Sequence, residues 1–302
     1  MIAVMITGIY IGVLGLLCGS FINALVWRVH EQAEVADARK KITPPARRAT
    51  AAKTTLSAAH KTSTDLSIMR GRSMCPRCRH VLVVKDLVPI LSWVSLRGKC
   101  RYCRAPISVQ YPGVELLTAS LFWLCYTVWP QPFTTIGISM LAVFLGIMIL
   151  YIALAVYDSK WFLLPNRLVR PLTILAGIYA VLSVVAHTQH SWLFTLATTV
   201  LGVGILYGLF WGLHAYSNGE WIGGGDVTIS LALGLIAGGI WQVLLVIFIA
   251  SLLGTVGSIP LLLKGKRTLK HQIPFGPYLL LASVVVVLFG RYMADWYLSV
   301  AT

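Results

Sequence analysis

Acidic residues are scarce in this 302-residue chain. Ten Asp and Glu stand against 25 Lys and Arg, and charged residues of both signs make up only 12% of the sequence. With hydrophobic residues at 57%, that shortage excludes an ordinary soluble enzyme and an intrinsically disordered chain alike. No phosphate-cradling glycine loop, dinucleotide-type glycine pattern or Ser/His/Asp arrangement stands out. The opening segment "MIAVMITGIYIGVLGLLCGSFINALVW" lacks the basic n-region of a signal peptide and has about twice the length of its apolar core. It is therefore expected to stay in place as a membrane helix.

What the chain does have is a series of apolar runs near the ~20 residues that a membrane-spanning helix needs. Beyond the first, they cover 133–157, 168–186, 192–213, 240–263 and 278–300, with two shorter runs at 114–129 and 227–238. This pattern predicts an all-α polytopic membrane protein of about eight transmembrane helices. Its parts are a first helix (1–27), a hydrophilic insertion (28–112) and a membrane-embedded core (113–302).

The basic residues follow that path. Residues 28–112 hold 17 Lys and Arg, 158–170 hold three and 264–277 hold four, all on one side of the membrane; only Arg291 lies elsewhere. Cytoplasmic loops are enriched in Lys and Arg, so this side is expected to face the cytoplasm. The net charge of +15 is thus a matter of topology, and a nucleic-acid partner is not expected.

The insertion has two halves. The first, rich in Ala, Thr, Lys and Arg, has little to bury and reads as an extended or weakly helical linker, able to lie on anionic headgroups. The second places Cys75 and Cys78 ahead of Cys100 and Cys103, two CxxC knuckles at a spacing close to that of a four-cysteine zinc site. Four thiolates close a tetrahedral shell with no open position, so the zinc would be structural. Two disulfides are the competing reading, disfavoured by the reducing cytoplasm. Cys18 and Cys125 fall in apolar helices as packing residues.

Scarce acids gain weight in such a chain. Asp158 closes one apolar run and Asp226 opens another directly after "GGG", both at the cytoplasmic boundary. One reading makes them helix caps. The other makes them a dyad, in which an ionised Asp activates water and a protonated one polarises a peptide carbonyl. On helix ends alone, Asp226 at an N-terminus would be the base and Asp158 the protonated partner. Gly223, Gly224 and Gly225 would let backbone approach an extended substrate. His187, His190, His214 and His271 read as loop residues or as partners of backbone carbonyls.

Six motifs in order, "GSFINALVWR", the cysteine knuckles around "PILSW", "ISVQYPGVE", "YDSKWFLLPN", "GGGD" and "IPFGPYLLL", resemble those of the type IV prepilin peptidases, GxGD-type aspartic proteases, over nearly the whole chain. The resemblance implies a bacterial inner-membrane enzyme that cuts leader peptides from type IV prepilins or type II secretion pseudopilins at the cytoplasmic face. It further implies N-methylation of the new terminus from S-adenosylmethionine, with Asp158 and Asp226 as catalytic aspartates. Where the family often has Lys and Asp, this chain has Thr228 and Asn166. A competing class is an ion- or proton-coupled transporter with a zinc-binding module, which would need acids deep in the bilayer; another is a scaffold that recruits secretion components through that module.

Overall fold

The computed structural model describes residues 2–42, 71–186, 191–263 and 274–301. Among these the regular structure is helical, and the chain divides into two compact units, Met1–Trp123 and Leu124–Thr302.

In the first unit, helix α1 (Ile2–Ile42) runs well past the expected end at residue 27. The expected linker is therefore helical over 28–42, while 43–70 lies outside the described residues. The cause is local: "EQAEVADARKK" is built largely of strong helix formers, and His30 and Glu34 meet at i,i+4 spacing, 3.4 Å apart. After a one-turn 3-10 helix (Val84–Asp86) and the short α2 (Leu91–Ser95), α3 (Gln110–Thr127) packs against α1. Two glycines set the closeness of that packing. A Cβ on Gly15 would lie 2.7 Å from the Ala119 Cα, and one on Gly19 2.6 Å from the Glu115 Cα.

The second unit holds α4 (Thr135–Trp161), α5 (Asn166–Ala186), α6 (Trp192–Tyr216), α7 (Gly224–Ala237), α8 (Ile240–Leu263) and α9 (Gly276–Ala301). Six helices, α1, α4, α5, α6, α8 and α9, are long and apolar enough to cross a membrane. The two shorter runs do form helices, α3 and α7, but fall outside that group. The estimate of about eight crossings thus resolves into six long apolar helices and two lesser ones. The 14 residues of α7 span only ~21 Å against a hydrocarbon core of ~30 Å.

Burial among protein rather than lipid makes such a short helix tolerable. α7 packs on α5, α6, α8 and α9, and Ile229, Ser230, Ala232 and Leu233 are fully enclosed. Its Gly234 sits where a Cβ would come 2.8 Å from the Val203 Cα of α6. Enclosed hydroxyl groups on these helices are partnered. Ser230 donates to the Val227 carbonyl at 2.8 Å, and the Tyr151 and Ser283 hydroxyls join α4 to α9 at 3.0 Å. Outward positions such as Leu201 on α6 and Phe248 on α8 are large, apolar and exposed, as a lipid-facing surface requires.

Candidate functional site

Asp158 and Asp226 are brought together by a third residue. A Cβ built on Gly276 would stand 2.8 Å from Asp158 Oδ2 and 3.6 Å from Asp226 Oδ1, so both carboxylates border one point in space. The two also lie within electrostatic reach of each other. Asp158 occupies the last turn of α4 and is buried; Asp226 is the third residue of α7 and is partly open. Gly276 begins α9, so the positive end of that helix dipole lies beside the pair, as does that of α7.

The chain around the pair is shaped by tight turns. α4 ends at Phe162, held in the left-handed region (φ 55°), whose N–H donates to the Asp158 carbonyl at 2.9 Å. The following segment carries Leu164 against Gly225, where a Cβ would meet the Leu164 Cβ at 2.9 Å. Gly225 thus has a packing reason of its own: a side chain there would push the "LLP" and "GGGD" segments apart. Gly223 and Gly224 meet only ordinary contacts, with Asp226 Oδ2 and the His214 ring.

His214 was readable only as a partner for backbone carbonyls, and that is its contact. Its Nδ1 lies 2.8 Å from the Ile222 carbonyl oxygen, pinning the loop that leads into Asp226. Thr228 donates to the Gly225 carbonyl at 2.7 Å on the exposed side, and Asn166 is the exposed first residue of α5. Glu220 is exposed. His187, His190 and His271 lie outside the described residues. Sequence reasoning missed Gly276 as a wall of the site. The signal was present in "IPFGPYLLL", but no local spacing ties residue 276 to residues 158 and 226.

The four cysteines form one cluster, their sulfurs all within 4.8 Å of one another and Cys75 and Cys103 3.9 Å apart. Sulfurs at ~2.3 Å from a zinc ion in a tetrahedron stand ~3.8 Å from each other, so the donor set fits the metal. The thiols are free, not disulfide-bonded. The two knuckles repeat one design: Arg79 and Arg104 take left-handed φ values of 55° and 58°, and their N–H groups donate to the Cys75 and Cys100 carbonyls at 2.9 and 3.0 Å. Burial opposes ionisation of Cys100, yet the N–H groups of Cys103 and Tyr102 and the thiols of Cys103 and Cys75 outweigh it and bring the thiol down to about 7. Beside the cluster, Asp86 joins Arg101 at 2.6 Å and accepts from the Tyr102 hydroxyl at 3.2 Å.

Comparison with known proteins agrees with this division. Residues 13–129 match the bacterial peptidase A24 N-terminal domain, and residues 145–259 match the type IV leader peptidase family. A prepilin leader peptidase/N-methyltransferase of Stutzerimonas stutzeri is 33% identical over 96% of this chain and 93% of its own. The protein of that name in Aeromonas salmonicida is 36% identical over 77% of this chain and 76% of its own. A type 4 prepilin-like proteins leader peptide-processing enzyme of Escherichia coli is 30% identical over 90% of each. No solved structure matches. Two family models along most of the chain, together with relatives aligned almost end to end, place it among multi-pass membrane proteins: the chain belongs to the type IV prepilin leader peptidase/N-methyltransferase family, peptidase family A24.

Proposed function

We propose that Asp158 and Asp226 are the catalytic dyad with which this chain, a membrane peptidase and N-methyltransferase of type IV prepilins, hydrolyses the leader bond. The observation that supports it is the convergence of both carboxylates on Gly276. An ionised carboxylate takes a proton from water while the protonated one donates to the scissile carbonyl, and collapse of the tetrahedral intermediate passes that proton to the leaving amine. Were Asp226 alone at a helix N-terminus, it would be the base. A second helix N-terminus, at Gly276, stands beside Asp158 as well, so the pair is better treated as sharing one proton than as two fixed roles. Gly223 and Gly224 remain the positions where substrate backbone would approach.

The chain would lie in the bacterial inner membrane with this site toward the cytoplasm, the side of its basic loops. The transporter reading gives no reason for two acids to border one glycine at helix ends. Zinc held by Cys75, Cys78, Cys100 and Cys103 would fix the module without taking part in chemistry. S-adenosylmethionine would supply an electrophilic methyl group for the new N-terminus; substrates would be type IV prepilins, pseudopilins of type II secretion, or both. The purified protein, incubated with a prepilin with and without S-adenosylmethionine, tests the whole reading by mass. Leader loss with a gain of one methyl group is expected, and an unprocessed prepilin would overturn it.

A further inference from the structure

Asp226 owes its place to a weakly built stretch of chain. It follows three glycines, the poorest helix formers after proline, so the first turn of α7 has little tendency to hold its own geometry. Packing fixes that helix from Val227 onward, where the inward side chains become buried, whereas Gly223 and Gly224 are exposed. The connection from α6, residues 217–223, finds no apolar anchor in its largest side chain: Trp221 is 67% exposed. Hydrogen bonds must hold this segment.

They divide into two sets. The first closes the connection onto the end of α6: the Gly219 N–H donates to the His214 carbonyl at 2.9 Å and the Trp221 N–H to the Ser217 hydroxyl at 3.2 Å, while Asn218 and Gly219 turn the chain with φ values of 49° and 83°. The second is one bond. His214 Nδ1 lies 2.8 Å from the Ile222 carbonyl oxygen, the only hydrogen bond among the described residues that ties Ile222 or Gly223 back to α6. The ring is also wedged: a Cβ on Gly219 would stand 3.2 Å from its Cε1, and one on Gly224 3.7 Å from the same atom. It therefore bridges the start of the connection and the start of α7. From Ile222 the path to the carboxylate is short, since the carbonyl of the next residue, Gly223, accepts the Asp226 N–H at 3.0 Å and a Cβ on that glycine would lie 4.0 Å from Asp226 Oδ2. Among the described residues no hydrogen bond or ion pair joins His214 to either aspartate.

A carbonyl oxygen only accepts, so Nδ1 must carry the hydrogen. We propose that His214 is a positioning residue for leader-bond hydrolysis: through its Nδ1–H and the Ile222 carbonyl it fixes the glycine turn that sets the Asp226 carboxylate beside Asp158. The inference rests on the dyad reading above and adds the group that keeps one of its members in place. The glycines leave room for substrate backbone, and the histidine supplies from α6 the rigidity that they forgo. Its contribution falls on the chemical step, since a reacting carboxylate displaced by a fraction of an ångström loses alignment while the surfaces that hold the substrate elsewhere are unchanged.

Cleavage of a prepilin by the full-length protein, with three substitutions at this position, tests the role. Asn carries its amide nitrogen on Cγ, as His carries Nδ1, whereas Gln carries its own one carbon farther out. His214→Ala and His214→Gln are expected to lower kcat roughly tenfold or more with KM held within about twofold, and His214→Asn to recover most of that loss. Unchanged kcat in His214→Ala, or an equal loss in His214→Asn and His214→Gln, overturns the role. Hydrogen exchange on the wild type keeps the test valid should the variants misfold: the amides of Gly219, Trp221 and Asp226 are expected to exchange much more slowly than in an unstructured peptide, and exchange at the unstructured rate overturns the pinned turn. Asp226→Asn, measured in parallel, separates the two readings: loss of cleavage there with wild-type kcat in His214→Ala sinks only the role of His214, whereas wild-type cleavage by Asp226→Asn sinks the dyad and this role with it.

Discussion

Gly276 has no side chain, and its lack of one leaves room beside Asp158 and Asp226. Gly276→Ala would place a Cβ 2.8 Å from Asp158 Oδ2, closer than van der Waals contact allows, so the carboxylate or the start of α9 must shift. A misplacement of about 1 Å at a reacting group costs on the order of 10²-fold in rate. Leader removal by Gly276→Ala should therefore fall by about that factor in kcat with KM little changed; an unaltered kcat would show that the carboxylates have slack. Asp158→Asn and Asp226→Asn should each lower cleavage by at least about 10²-fold to 10⁴-fold, because one carboxyl cannot serve as base and acid together. The variants should still accumulate in the membrane, and retained cleavage in either would remove the dyad. Because one ionised and one protonated group are needed, the pH–rate curve should be a bell when chemistry is limiting; a flat curve would argue against a shared proton.

Helices and knuckles were readable where local pattern decides them, and unreadable where distant segments do. Apolar runs of adequate length gave α4, α5, α6, α8 and α9, and "GGG" before Asp226 gave the start of α7. The extension of α1 to Ile42, past the expected end at residue 27, arises because helix propensity outweighs hydrophilic composition there. The cysteine pairs were legible by spacing alone, and the neighbouring Asp86 was not, since Arg101 reaches it from the opposite knuckle. Two outcomes follow at this scale. Cys75→Ser or Cys100→Ser should release zinc, read by metal analysis, and loosen the module, whose folding a structural metal supports. Burial opposes ionisation of Asp86, yet Arg101, the Val83 N–H and Tyr102 outweigh it and hold the carboxyl below its usual range. A depressed folded-state value contributes stability above the unfolded pKa of ~3.9, and that contribution is lost as pH falls through the folded value. Asp86→Asn should remove this acid-range dependence from the module's unfolding curve.

At the scale of the molecule, charge orients a chain whose apolar runs alone could insert either way round. The basic residues of 28–112 weigh least in this, because an insertion longer than ~60 residues translocates largely regardless of charge. The decisive loops are short: 158–170 with three Lys and Arg and 264–277 with four, against none in the "PQP" turn between α3 and α4. On the proposed orientation Asp158 and Asp226 would belong to the basic side of that path, where unprocessed leaders would be made. The "PQP" turn should then face the periplasm and the exposed turn between α6 and α7, at Asn218, the cytoplasm. Single substitutions Gln131→Cys and Asn218→Cys report this with a membrane-impermeant maleimide, native thiols being told apart by the mass of the labelled peptide. In cells with the outer membrane opened, Gln131→Cys should react at once and Asn218→Cys only after the inner membrane is permeabilised. The reverse order would put the aspartates on the exported side, where a peptidase acting before export could not meet its substrate.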